Sequence, residues 1–319
     1  MRAAVVPVVI GILATVVLGA CSPGEVKPTP TTSSEAPADA APMPDPRTEV
    51  AGVVWDGRIV VGGGLLPDRS ASARVDLYDP DQDTWTRMPD MPRALHHHGY
   101  VEIAGELLVI GGYETQGDQW VPTDRVWRLA APDADWVQGP SLTVPRGGLA
   151  VVATPDDVWA IGGVGPAGTH RSTERLVDGA WVAGPDLAET REHVAAAARG
   201  SEVVVIAGRD GGMDTNRTTT EILTADGVEP GPDIAVARGG IAAASVGDVV
   251  CVAGGETPDG TVAEIECLAD DAWRTVAMLA EPRHGLAVVA LDGRLRVIGG
   301  GPRPGLSTSA AHEVVDVGG

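Results

Sequence analysis

The sequence predicts an all-β protein, a six-bladed β-propeller with four antiparallel strands per blade, and three observations carry that prediction. A short apolar run ending in Gly-Gly, or in one case Ala-Gly, recurs six times at intervals of 48, 51, 45, 47 and 45 residues. Each recurrence sits in a unit of constant internal order: an arginine, a small-apolar run, a tight turn, the Gly-Gly run and two further strand-length segments. The six units fill the chain after a low-complexity N-terminal stretch. Units of this length, each too small to bury its own apolar faces, are stable only when stacked, and four strands per unit repeated radially make blades.

The chain of 319 residues opens with Arg2 and an apolar run from Val5 to Val17, the pattern of a signal peptide and too short to span a bilayer comfortably. Residues 1–20 are assigned to this leader. Residues 21–37, rich in Pro, Ala, Ser and Thr, hold too few large apolar groups to offset the entropy of ordering and are expected to form a tether. The propeller is expected over 38–319.

Within the units the arginines are Arg47, Arg93, Arg146, Arg191, Arg238 and Arg283. The inner strands follow, as at Leu149–Val152, and turns such as Asp56-Gly57 and Asp292-Gly293 suit the positive φ of a two-residue hairpin. The second strand ends in the glycine pair, where close backbone approach is expected. A third strand (Val75–Tyr78, Val126–Leu129) and a fourth carrying Trp85, Trp136, Trp181 or Trp273 complete the unit. The fourth unit departs from the pattern, with Ala207 for the first Gly and Val228 for the Trp. The sixth unit ends after its third strand, so the segment around Ala38–Pro44 is expected to close the ring on the last blade. Met43 precedes Arg47 by the same four residues that separate Leu142, Leu187, Ile234 and Leu279 from their arginines.

Two resemblances follow. Leu18, Gly19, Ala20 and Cys21 resemble a bacterial lipobox, which implies lipidation of Cys21 and a membrane-anchored protein on the extracytoplasmic side. The units resemble the Kelch repeat: unit one has Tyr78, Asp79 and Pro80, then Trp85, then Met88, Pro89, Met91, Pro92 and Arg93, and the likeness extends over about 270 residues. It implies a Kelch-type propeller.

Charge narrows the function. With 44 acidic against 23 basic side chains the net charge is −21, which excludes a nucleic-acid partner in practice, and Lys27 is the only lysine, so any cationic site is built from arginine. Strand alternation sends the loops between second and third strands, and those between blades, to one end of the propeller. There the six arginines, His96, His193, His284, Trp120 and Arg209 are the candidate ligand-binding residues, through bidentate arginine contacts to an anionic or sugar ligand. The alternative for the arginines is a scaffold role in the repeat. The run His96-His97-His98 is read as a polar rim, because neighbouring strand residues point to opposite faces and cannot all ligate one ion, and no metal or cofactor is assigned. Asp214, Asn216 and Glu221 are oxygen ligands in type but lack the spacing of a calcium loop. Cys251 and Cys267 fall on adjacent strands and are candidates for a structural disulfide, with two buried thiols as the alternative.

No residue set specifies a catalyst. Only Tyr78, Tyr100 and Tyr113 are present, too few for copper chemistry of the galactose oxidase type, and the sialidase box is missing. The expected function is a lipid-anchored binding or protein-interaction module working through its arginine-bearing loop face. The alternative is a carbohydrate-active enzyme in the channel, similar to the Kelch sialic acid mutarotases.

Overall fold

A computed structural model describes Met1 and residues 38–318; the leader, the tether and Cys21 lie outside the described residues. Residues 38–318 form six four-stranded antiparallel sheets. Blade one comprises Ala51–Trp55, Arg58–Gly62, Val75–Asp79 and Thr84–Arg87 from the axis outward, and blades two to five repeat this order. Blade six is made of Ala287–Leu291, Arg294–Ile298 and His312–Val315, with Ala38–Asp39 as its outermost strand, in the register Ala38↔Val314 and Asp39↔Glu313. The ring therefore closes by pairing the start of the domain with its end, which leaves no open seam between first and last blades. Among the described residues no helix is long and apolar enough to cross a membrane.

The core consists of six apolar clusters, one between each pair of neighbouring blades. Trp55, Leu77, Tyr100 and Leu107 join blades one and two, and Met43, Ile59, Tyr78 and Ile298 join blades six and one. Small residues on the innermost strands let these strands approach. A Cβ on Gly99 would lie 2.1 Å from Val151 Cγ2, and one on Gly52 would lie 2.9 Å from the Cβ of Ala287. On the outside, the indole N–H groups of Trp85, Trp136, Trp181 and Trp273 donate to the carbonyls of Ala41, Pro89, Pro140 and Pro232, stitching each outer strand to the segment entering its blade. Cys251 and Cys267 are directly paired across two strands of blade five and form a disulfide.

The unit arginines are scaffold, a correction to their reading as ligand-binding residues. Arg47, Arg146, Arg191, Arg238 and Arg283 are all fully buried. In each, Nη1 donates to the carbonyl 16 residues later, that of the first residue of the Gly-Gly pair (Gly63, Gly162, Ala207, Gly254 and Gly299). Each guanidinium also meets a carboxylate on its own third strand: Asp76, Glu174, Glu221, Glu266 or Glu313. Burial pulls the pKa of Arg238 down and Glu266 opposes it. Glu221 is thus committed to Arg191 and is no member of an oxygen cluster with Asp214 and Asn216.

Arg93 is a second correction. The residue 16 before Gly111 is Leu95, not Arg93; Leu95 is fully buried and Arg93 is exposed. The position paired opposite Val109 on the third strand, where the other blades place the acid, holds Trp127. Blade two has exchanged the buried ion pair for an apolar pair, and the Met-Pro-x-x-Pro-Arg tail places its arginine two residues too early to serve as the clamp.

The glycine pair has a steric cause. The N–H of its second residue donates to the carbonyl of the next blade's unit residue, as from Gly112 to Arg146 at 2.8 Å and from Gly163 to Arg191 at 2.8 Å. A Cβ on the first glycine would collide with that same carbonyl, at 2.7 Å for Gly111 and 2.5 Å for Gly162.

Breaking one clamp strands a buried charge. Arg238→Leu is expected to cost about 3–5 kcal/mol in urea unfolding, because it leaves Glu266 uncompensated. The double variant Arg238→Leu, Glu266→Leu is expected to cost clearly less than the sum of its single variants, as the apolar pair of blade two implies.

Candidate functional site

The end of the channel where the chain enters each inner strand is closed by a ring of main-chain hydrogen bonds. The residues two after each unit position are Glu49, His97, Gly148, His193, Gly240 and Gly285, and all six have φ between 48° and 67°. That left-handed turn aims each N–H at the preceding blade: His97 to Glu49 at 3.1 Å, Gly148 to His97 at 3.0 Å, His193 to Gly148 at 2.8 Å, Gly240 to His193 at 3.0 Å and Gly285 to Gly240 at 2.8 Å. The N–H of Val50 closes the circle on Gly285 at 3.2 Å. Three of the six are glycine, for which the conformation is free, whereas Glu49, His97 and His193 hold it at a cost of order 1 kcal/mol each.

A second tier flanks this ring. The residue directly after each unit position bridges the residue directly after the glycine pair: Thr48 to Leu65, His96 to Tyr113, Gly147 to Val164, Glu192 to Arg209, Gly239 to Glu256 and His284 to Gly301. The imidazoles and buried charged groups that ring the channel mouth occupy these repeat positions. They form a closed polar circuit. Glu49 Oε2 lies 3.2 Å from His97 Nε2, whose other close neighbour is His193 Nε2 at 2.9 Å. His193 Nδ1 contacts Glu192, and Arg209 joins Glu192 and Glu256 through 2.9 Å hydrogen bonds. His284 Nε2 completes the loop, 3.7 Å from Glu256 and 3.5 Å from Glu49. His96 Nδ1 supports His97 Nδ1 at 2.6 Å.

Burial pulls the pKa of His96 down to about 4 and that of His97 well below the usual imidazole range, so both are neutral at pH 7. Glu192 and Glu256 behave differently. Burial pushes each carboxyl up, but His193 and Arg209 around the first, and His284, the Gly305 N–H and Arg209 around the second, hold both below the ordinary glutamate value.

Beneath the ring a narrow channel of about 140 Å³ runs between the inner strands, lined by Glu49, His97, His98, Tyr100, His193 and the small residues of those strands. It has room for a file of waters or an ion and is narrow for a sugar. Above the ring stand the hairpins Tyr113–Gln116/Gln119–Pro122, Val164–Gly165/Gly168–Thr169 and Glu256–Thr257/Gly260–Thr261. The first presents Trp120, 42% exposed, with its ring 4.5 Å from His96 and 5.4 Å from His97.

The structure thus brings His96, His193, His284, Arg209 and Trp120 together, and it removes the unit arginines from the site. Arg209 itself is buried between two carboxylates and is not free to take an anion. The three histidines of the run do not gather on one point, although the cause is not strand alternation: they precede the strand that begins at Gly99, and His97 has a φ of 55°. His98 points elsewhere, against Tyr100 with ring centroids 5.0 Å apart. Glu49, His97 and His193 offer ligand atoms all within 4.8 Å of one another. Glu49 and Glu192 escaped the sequence reading. Aligning the units on the glycine pair and reading the two residues after the unit position exposes them: three of the other five units place glycine where Glu49 stands, and two of the other five place it where Glu192 stands.

A family model of the Kelch motif matches residues 46–92. The Kelch-like protein terF of Aspergillus terreus is 26% identical over 286 residues, 80% of this chain and 61% of that protein. Beta-scruin of Limulus polyphemus is 25% identical over 276 residues, 80% of this chain and 25% of that protein. The chain spans less than two thirds of the length of these relatives. Among solved structures, that of YjhT matches with a TM-score of 0.76 at 15% identity, covering 87% of this chain and 97% of that chain, a likeness of fold. The chain therefore carries a Kelch motif on a six-bladed β-propeller.

Glu256 is held ionised by its partners, so its contribution to stability is present above about pH 4.5 and is lost as the pH falls through its lowered folded-state value. Melting temperature is expected to fall more steeply below pH 4.5 in the wild type than in Glu256→Gln, measured by calorimetry across pH 3–6.

Proposed function

We propose that the protein is a binding module, anchored through a lipid on Cys21 at the extracytoplasmic face of the membrane, that engages its partner with the end of the propeller bearing Trp120 and the histidine–carboxylate circuit. The observation that carries this reading is the left-handed backbone at Glu49, His97 and His193. A repeat scaffold that uses glycine in three equivalent positions has no folding reason to hold charged and imidazole side chains in the other three. With five unit arginines buried and Arg209 paired, the face offers carboxylates, neutral imidazoles and an exposed indole. That chemistry suits a hydroxylated ligand such as a neutral sugar, with Trp120 supplying a stacking surface, better than it suits an anion.

The ligand reading is tested by thermal shift of residues 38–319 against neutral and acidic sugars, since a ligand that binds only the native state raises its melting temperature. A neutral sugar is expected to give a shift that Trp120→Ala abolishes, while the unliganded melting temperature stays within that of a surface substitution. Acidic sugars acting alone would point instead to the exposed Arg303 and to Arg125, which is half-buried beside Glu114. Anomer exchange on a bound sugar would turn the module into an enzyme of the mutarotase kind, and a folded protein that no sugar shifts would point to a protein partner.

The anchor is tested separately. Cys21→Ser is expected to abolish incorporation of labelled palmitate and to move the protein from the membrane to the soluble fraction; unchanged fractionation would overturn the anchor.

A further inference from the structure

One member of the circuit, Glu49, is left outside its hydrogen bonds. Glu49 has its side chain 9% exposed, yet among the described residues it accepts no hydrogen bond of good geometry, and its near neighbours are the Nε2 atoms of His97 at 3.2 Å and His284 at 3.5 Å. A buried carboxylate of this kind calls for a partner. Beside it the Nε2 atoms of His97 and His193 share a 2.9 Å hydrogen bond, so three atoms able to ligate a metal gather at the channel mouth.

We propose that Glu49, His97 and His193 form a site for one divalent first-row transition metal ion, of the zinc class, with its open coordination positions facing the channel mouth. Two of the three separations, 2.9 and 3.2 Å, match the roughly 2.9–3.5 Å expected between ligands held about 2.0–2.2 Å from a common ion, and all three ligand atoms lie within 4.8 Å of one another. Two imidazoles and one carboxylate suit such ions and suit magnesium or calcium poorly. The outer contacts orient the ligands as metal sites require. Glu192 holds Nδ1 of His193 and His96 holds Nδ1 of His97, leaving both Nε2 atoms directed inward, and Arg209 in turn fixes Glu192. The three ligands are also the three non-glycine residues of the left-handed ring, so the backbone cost noted above falls on the atoms that would bind the ion and nowhere else in the ring.

This inference deepens the reading of that face as the binding end, and it is testable without any partner. The purified protein is stripped with chelator and titrated with Co²⁺, followed by visible absorption, and with Zn²⁺, followed by calorimetry. The wild type is expected to take up one equivalent with a Co²⁺ spectrum of imidazole–carboxylate coordination. Glu49→Gly and His193→Gly install the residue that other blades use at the same φ, so they are expected to melt no lower than the wild type and to lose saturable uptake. Glu49→Gln gives the same loss by an isosteric change, and Glu192→Gln weakens binding about 10–100-fold. Trp120→Ala keeps the metal, which separates failure of the partner reading from failure of this one. A folded wild type that shows no saturable uptake, or glycine variants that bind as the wild type does, overturns the proposal.

Discussion

A guanidinium buried between a glycine carbonyl and a carboxylate is the contact on which the rest of this structure depends. In five of the six blades it fixes the first residue against the second and third strands of the same blade, as Arg146 does with Gly162 and Glu174. Once that residue is fixed, its carbonyl receives the N–H of the previous blade's second glycine, so one side chain sets both the blade and its neighbour. The next two residues have little freedom: the first bridges to the residue after the glycine pair, and the second turns left-handed and passes its carbonyl around the ring.

The clamp is costly to desolvate and valuable for the geometry it imposes. Taking a guanidinium and a carboxylate out of water consumes much of their mutual attraction, and an apolar pair of similar volume can take their place at little net cost. Blade two shows that substitution in nature, with Leu95 and Trp127 at the two positions. It keeps the fold because Leu95 still offers its carbonyl to Gly64 and still packs in the cluster between blades one and two. The main-chain pattern therefore defines the position, and the arginine is the commonest way to hold it.

Function is written as departures from that symmetry. Three repeat positions per blade face the channel mouth, and in blade three they hold Gly147, Gly148 and Val164, which carry no ionisable chemistry. Elsewhere they hold Glu49, His96, His97, Glu192, His193, Arg209, Glu256 and His284. Arg209 pairs with both Glu192 and Glu256, which offsets part of this buried acidic cluster on a chain whose net charge is already −21. Trp120 overhangs this cluster from the hairpin of blade two, whose four-residue strands outreach the two-residue strands of the hairpins in blades three and five, which gives a six-fold scaffold a preferred side.

By itself the sequence determined the six units, the strand order within each, the closing role of the segment at Ala38 and the placing of Cys251 and Cys267 on adjacent strands, because these follow from the period of the glycine pairs; that the two cysteines are bonded came from the structure. The register of blade two was not legible in the same way. Arg93 and Leu95 differ by two residues, and only the constant offset of 16 to the glycine carbonyl, a tertiary contact, tells them apart. The site was decided by the tertiary structure as well. Glu49, His97 and His193 are separated by 48 and 96 residues and meet because a ring of blades brings equivalent positions to one axis. Likewise, whether an arginine at that end binds a ligand or a carbonyl depends on its burial, which the side chain's identity does not reveal and the packing of third strand against loop does.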